Sequence, residues 1–513
     1  MRRALAAIGI VTLLPLTAVH GQTAQSNLPV LGDTARADLS PVLERKIGEE
    51  VMHDIRRNKD YLDDAPILEY LNNFGATLLA AVPGGRGEMT SDFFFFAVRD
   101  PMLNAFAMPG GFIGVHSGLM IAAQSESELA SVMSHEIGHV TQRHIARQIG
   151  KQSESALIPL AAMVLAGLAA KSSPDAAMGV LLGGQGLAIQ KQLDFSREAE
   201  READRVGFQI MGNAGFDTSG MVAFFGRMQT ASRMYSDSMP AYLRTHPLTS
   251  ERIADIQARI REAPKRERAD SMDFHLVRAR ARVLQDETSG GTGTTEIAFK
   301  DQLATGTRIQ QAAAQYGLAV IALRRGQLAQ AQEWLDKART GVMPRAQRGV
   351  FSTTPPVMGD GEAILTSLAL DIKLAPKQSK EVMLQGLKEA EQAHARYPLS
   401  RGIARQYADA MIVNGKLEEA ARFLREQVQQ YREEPKLHEL LAKTYAAQGK
   451  VALQHLSLAE SYALSGGVMG ALDQLALARK AKDASFYDMA IIDARERELQ
   501  ARRREALKEK EDE

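Results

Sequence analysis

Cysteine is absent from all 513 residues. That absence excludes disulfides, a thiolate nucleophile, a cysteine-ligated metal and a lipid-modified N-terminal cysteine. A chain exported to an oxidising compartment must then be held by core packing, or by a metal bound through histidine and carboxylate. Net charge is missing too, since 62 basic residues balance 62 acidic ones. No global field steers such a chain onto nucleic acid, and no nucleic-acid partner is expected. The internal apolar runs fall short of a comfortable bilayer span, and nothing resembles a glycan-binding module.

What is present is the make-up of a globular protein, 45% apolar and 24% charged. The length calls for two or more domains. Arg2 and Arg3 precede an apolar run from Ala4 to Val19, and the small residue Gly21 follows. Charge, a short greasy stretch and a small residue together predict a cleaved secretory signal peptide over residues 1–21, and hence a periplasmic address.

Apolar residues recur at helical spacing from Leu39 to Asn58 and from Ile67 to Val82. Three short β-prone runs follow, Phe93 to Val98, Leu103 to Met108 and Phe112 to His116, with Pro109-Gly110-Gly111 as a turn between the last two. They predict a small antiparallel sheet. Ser125 and Glu128 have the spacing of a capping box and start a helix expected to run to about Gln148. A second, charged helix is expected from Ser196 to Met211.

Past residue 285 the texture changes. The run SGGTGTT over 289–295 has linker composition, and residues 286–306 are expected to join a domain at 27–285 to one at 307–501. In the latter, Gly326, Gly415 and Gly466 each have an alanine seven residues before (Ala319, Ala408, Ala459) and five after (Ala331, Ala420, Ala471). Small residues at fixed offsets let paired helices approach while glycine turns the chain. This predicts an all-α tetratricopeptide-repeat solenoid. The Gly449 region lacks the following alanine, and residues 502–513 read as a charged tail.

His135-Glu136-Ile137-Gly138-His139 is HExxH inside the first capped helix. Two histidines four apart share one helical face and can bind one ion. Glu136 can take the proton of a water whose pKa that ion lowers. Chance gives on the order of 0.02 such matches in a chain of this length and composition. No HxxGxxH continuation follows His139, so a third ligand must come from elsewhere. In the charged helix Glu198, Glu200 and Glu202 are all candidates; Glu200 and Asp204 share a face, so one could bind metal while the other orients a ligand histidine.

Four segments, NAFAMPGGFIGVHSGL at 104–119, HEIGH at 135–139, SREAEREAD at 196–204 and THPLTSERI at 245–253, together resemble the HtpX/BepA-type HExxH zinc metallopeptidase family. The likeness covers about Asn27 to Arg282 closely, and the repeats by architecture. It implies an α+β zincin-like (gluzincin) fold and one Zn2+ per chain, with Glu200 as third ligand beside His135 and His139. Asp204 would support catalysis by Glu136. The strand Asn104, Ala105, Phe106 and Ala107 would be the edge to which substrate backbone adds. His246 would be a fourth ligand that keeps the enzyme latent, or an oxyanion contact. His116 and His144 are expected to be structural. The resemblance further implies a periplasmic endopeptidase acting on unfolded or misassembled outer-membrane proteins, its repeats binding clients and the outer-membrane assembly machinery. The competing expectation is a periplasmic chaperone or scaffold with a latent zinc site.

Two apolar stretches, Ala156 to Ala170 and Met178 to Ile189, lie between the second and third ligands. A buried helix pair, a lid and a surface making peripheral membrane contact are all compatible with them. Gly183, Gly184 and Gly186 favour a hinged lid.

Overall fold

The computed structural model describes residues 39–82, 92–150, 197–234, 241–286, 293–342 and 359–511. The signal-peptide expectation and the apolar stretches of 156–189 lie outside the described residues. Two helices open the fold, α1 (Pro41–Arg57) and α2 (Ala65–Leu79). The side chains of Ser40 and Asp64 start them by accepting from the N–H groups of Leu43 and Ile67, donors a first helical turn leaves unpaired. Ile67, Leu71, Phe74 and Leu78, spaced three and four apart, turn one face of α2 into the core.

Three strands form the sheet of the described residues: β1 (Phe94–Val98), β2 (Ala105–Met108) and β3 (Phe112–His116), in the order β1-β3-β2. The expected all-antiparallel sheet is corrected to a mixed one. β2 and β3 are an antiparallel hairpin across Pro109-Gly110-Gly111, but β3 lies beside β1 and runs parallel to it. Turn chemistry dictates the hairpin and is silent on which of its strands meets β1. The result leaves β2 at an edge.

Next come α3 (Ser117–Ala122) and α4 (Glu126–Thr141), the latter capped by Ser125 accepting from the Glu128 N–H. The helix expected to reach Gln148 stops at Thr141, because Arg143 adopts φ +52° before α5 (His144–Gly150) begins. A left-handed conformation in a residue with a Cβ is strained. Here the Arg143 guanidinium is tied to the Glu44 carboxylate and, at 2.5 Å, to the Leu39 carbonyl.

The charged helix is α6 (Arg197–Asn213), followed by α7 (Ser219–Met234), α8 (Ala241–Thr245), α9 (Ser250–Glu262) and α10 (Met272–Gln285). The expected linker then differs from the structure, since α11 (Gly293–Thr305) occupies most of it. Phe299 is the reason. Its ring is buried against Gly317 of α12 (Arg308–Arg324), and a buried phenylalanine is worth about 1.5–3 kcal/mol.

Nine helices follow α12 among the described residues: α13 (Leu328–Val342), α14 (Glu362–Lys373), α15 (Lys380–Arg396), α16 (Arg401–Val413), α17 (Leu417–Gln430), α18 (Pro435–Ala447), α19 (Val451–Leu464), α20 (Val468–Lys480) and α21 (Phe486–Glu511). Gly326, Gly415, Gly449 and Gly466 turn the chain between successive helices at φ +71° to +76°, which favours glycine. All six alanines at the fixed offsets are buried.

The first helices beyond residue 293 share one core with α2, α4, α6, α7 and α10. A second core spans α14 to α18 and a third α19 to α21. Glu69 of α2 bridges to the C-terminal helices, accepting from the Gly402 N–H at 2.6 Å and the Ser400 hydroxyl at 2.9 Å. No described helix is long and apolar enough to cross a membrane.

Candidate active site

One helical turn separates His135 from His139 on α4, and their Nε2 atoms meet at 2.9 Å. What approaches them is set by two glycines. A Cβ on Gly138 would lie 3.0 Å from the Ala203 carbonyl oxygen, and one on Gly207 would lie 3.0 Å from the His135 backbone nitrogen. α4 and α6 therefore touch nearly backbone to backbone, which carries the Glu200 carboxylate to the imidazoles. Oε1 is 3.4 Å from His139 Nε2 and Oε2 3.5 Å from His135 Nε2. Glu198 instead lies exposed beside Arg201, and Glu202 turns to His144.

His246, just past α8, completes the group: its Nδ1 is 2.9 Å from Glu200 Oε1 and 3.4 Å from His135 Nε2. One donor atom from each of the four buried residues lies within 4.8 Å of the others. An ion about 2.0–2.1 Å from four ligands defines a tetrahedron with edges of roughly 3.4 Å. The shorter spacings among these donor atoms, 2.9 to 3.5 Å, are of that size, and imidazole and carboxylate donors are of the right chemistry.

Beside this group sits Glu136, wholly buried, neither carboxylate oxygen accepting a well-formed hydrogen bond. His246 Nε2 lies 3.6 Å from its Oε1. Burial raises the Glu136 pKa, opposed by His246 and His135 and by the backbone N–H of Ala107. An unsatisfied buried carboxylate is costly and marks a functional group awaiting its partner.

Residues 80–260 match peptidase family M48. The beta-barrel assembly-enhancing protease of Escherichia coli (strain K12) is 31% identical over 91% of this chain and 90% of its own length. The Yersinia pestis protein of the same description is 32% identical over 92% and 91%. A putative beta-barrel assembly-enhancing protease of Vibrio cholerae is 40% identical over 49% of this chain and 51% of its own. The chain belongs to peptidase family M48. It is a metallopeptidase.

In this M48 peptidase a second layer of side chains fixes the first. His135 Nδ1 donates to Asp204 Oδ1 at 3.0 Å. Arg252 grips Asp204 through Nε and Nη2 at 2.6 and 2.8 Å, reaches Glu200 with Nη1 at 2.7 Å, and donates to the Pro247 carbonyl at 2.8 Å. Burial pushes both carboxyls up, but the surrounding histidines at Glu200, and Arg252 with His135 at Asp204, hold them below their usual range. Burial alone would lower the His135 pKa; Asp204 and Glu200 outweigh it and raise it to about 9.

His144 is not a member of the four, yet it is not merely packing. Its Nδ1 lies 2.9 Å from His139 Nδ1, and its Nε2 lies 3.0 Å from Glu202 Oε2, which Arg147 holds at 2.8 Å. Residues five apart on a continuous helix would diverge. The break at Arg143 brings them together, and no sequence period signals that. Arg252 was legible only as part of a motif, with no role attached. His116 stays outside the group, between Asp100 and Phe106.

The β2 residues sit at different distances from the chemistry. His116 donates its N–H to the Asn104 carbonyl, so Asn104 and Phe106 aim their peptide groups at β3 while Ala105 and Ala107 aim theirs outward. Ala107 thereby points its N–H toward Glu136. The Asn104 side chain lies 3.5 Å from His116, and Phe106 packs on Phe96 and His116. Tyr242 donates its N–H to the Leu103 carbonyl and lays its ring on His246.

Proposed function

We propose that the chain is a zinc-dependent endopeptidase of the periplasm that degrades unfolded or misassembled outer-membrane proteins. One observation carries it: His135, His139, Glu200 and His246 converge as a buried donor set with the Glu136 carboxylate, which accepts no well-formed hydrogen bond, at its side. The names of the full-length relatives support the client class.

Zinc in such a set supplies Lewis acidity, lowering the pKa of water and polarising the scissile carbonyl. Glu136 takes the proton of the attacking water and delivers it to the leaving amine. Asp204 and Arg252 keep His135 and Glu200 aimed. Substrate backbone lies along β2, where Ala107 offers its outward peptide group beside Glu136, a mode tolerant of client sequence. His246 holds the fourth corner and keeps the enzyme latent until a client displaces it. That placement also favours the second reading, a chaperone or scaffold whose zinc site is silent.

The helix pairs turned by Gly326, Gly415, Gly449 and Gly466 are read as tetratricopeptide repeats that hold clients and the outer-membrane assembly machinery. The export signal is assigned to residues 1–21, and the apolar stretches of 156–189 to a lid.

The test is cleavage of a urea-denatured outer-membrane β-barrel protein by the mature enzyme, stripped with chelator and then reloaded. Activity lost on stripping and restored by one equivalent of Zn2+, but not by Mg2+ or Ca2+, supports the reading. Undiminished cleavage by metal-free protein contradicts it.

A further inference from the structure

We propose that His144 is a positioning residue for the metal site: it fixes the tautomer and orientation of His139 by accepting that ring's Nδ1 proton, and Glu202 and Arg147 fix His144 in turn. The inference rests on His139 being a metal ligand of the proposed peptidase site.

Two imidazole nitrogens 2.9 Å apart that share no ion cannot both carry protons or both present lone pairs, so one of the two Nδ1 atoms donates to the other. His139 turns Nε2 into the donor set, 2.9 Å from His135 Nε2 and 3.4 Å from Glu200. A ligand nitrogen must present its lone pair. The proton of His139 therefore sits on Nδ1 and is donated to His144 Nδ1. His144 then carries its own proton on Nε2, aimed at Glu202 Oε2 3.0 Å away. Arg147, three residues on in α5, closes the chain on that same oxygen at 2.8 Å. Every proton in the series has one place to go.

The arrangement gives the two ligand histidines of one motif different supports. His135 donates to a carboxylate that Arg252 clamps. His139 donates to a second imidazole, anchored on a segment that the left-handed Arg143 folds back and the Glu44 contact pins. Supports of this kind typically set metal affinity by 10–100-fold, about the range expected for His144. The pattern that matters is thus HExxH with a further histidine at position 144, the helix being broken between them. Glu202, a candidate ligand by sequence, belongs to this support.

The test uses the full mature chain with His144→Leu, His144→Asn and Glu202→Gln, each made metal-free and titrated with Zn2+ against a chelator of known affinity. The Co2+-loaded proteins give a visible ligand-field spectrum, and thermal unfolding of each metal-free protein checks the fold. Asn keeps an acceptor near the position of Nδ1; Leu fills similar space with none.

The proposal expects His144→Leu to bind Zn2+ about 10–100-fold more weakly, with a shifted Co2+ spectrum and little change in metal-free Tm. His144→Asn should recover most of that affinity, and Glu202→Gln should fall between. Unchanged affinity and spectrum in a folded His144→Leu protein overturn it, as do equal losses in the Leu and Asn variants. Should the Leu variant not fold, a tenfold loss in His144→Asn alone overturns it and near-parental binding supports it. A parent chain that binds no Zn2+ instead sinks the metal-site reading beneath it.

Discussion

Arg252 holds Asp204 in a two-pronged grip, Nε to Oδ2 at 2.6 Å and Nη2 to Oδ1 at 2.8 Å, and both residues are almost wholly buried. With Nη1 on Glu200 and on the Pro247 carbonyl, one guanidinium joins a candidate metal ligand, the support of another, and the loop carrying His246. A planar fork can do this and an ammonium cannot. Arg252→Lys should therefore weaken Zn2+ binding by about 10–100-fold. Arg252→Ala, which strands two buried carboxylates, should also cost about 3–5 kcal/mol of stability. Chelator competition and urea unfolding measure the two effects. Parental affinity in the lysine variant would show that charge alone suffices.

His246 decides between latency and oxyanion binding. Its Nδ1 belongs to the donor set, while Nε2 faces Glu136 at 3.6 Å. Removing it by His246→Ala should raise the cleavage rate of an unfolded client if it fills the fourth corner. A drop of about 10²–10³ in kcat would identify it as a transition-state donor.

The structure makes one prediction about pH far from the metal site. Burial raises the Asp273 carboxyl to about 6, helped by Asp360 and Glu126 and resisted by the Gly361 N–H. The unfolded value is about 3.9. A raised carboxyl pKa means the folded state keeps a proton the unfolded chain has lost. Its stabilising contribution is therefore full below about pH 4 and is lost as pH rises through about 6. Asp273→Asn removes that dependence and can still accept from Gly361. Its stability relative to the parent should rise by up to about 3 kcal/mol between about pH 4 and pH 7. A constant difference across that range would contradict the assignment.

Contact between the peptidase helices and the C-terminal helices can be probed at Glu69. This side chain of α2 caps the first turn of α16, accepting from Ser400 and Gly402. Glu69→Ala should cost about 0.5–2 kcal/mol and speed hydrogen exchange at the Gly402 and Ile403 amides. Gly402→Leu should do more, since even a Cβ there would lie 2.7 Å from Ala65 Cβ. Unchanged exchange in both variants would mean the two parts touch without supporting each other.

Much of the site was legible in the sequence because its chemistry is local. HExxH places two candidate ligands and a candidate base on one helix face, and the capping box at Ser125 announces that helix. Glu200 needed more: spacing could not separate it from Glu198 and Glu202, and the family resemblance named it. In the structure, close packing at Gly138 and Gly207 presents that one side chain to the histidines. The sheet strands were located nearly to the residue, but which hairpin strand meets β1 is a long-range packing choice. The linker composition of 289–295 hid a helix that Phe299 anchors from outside the window. His144 was illegible for a similar reason: its role depends on a left-handed Arg143 held by Glu44, a residue 99 positions away.

Glu136 is the proposed base at a site that His135, His139, Glu200 and His246 would build. The direct test is cleavage of an unfolded outer-membrane porin by the protein and by its Glu136→Gln variant, with bound zinc measured in both. The account predicts that the parent cuts and the variant, carrying as much zinc, does not. Equal cleavage by the two would contradict it.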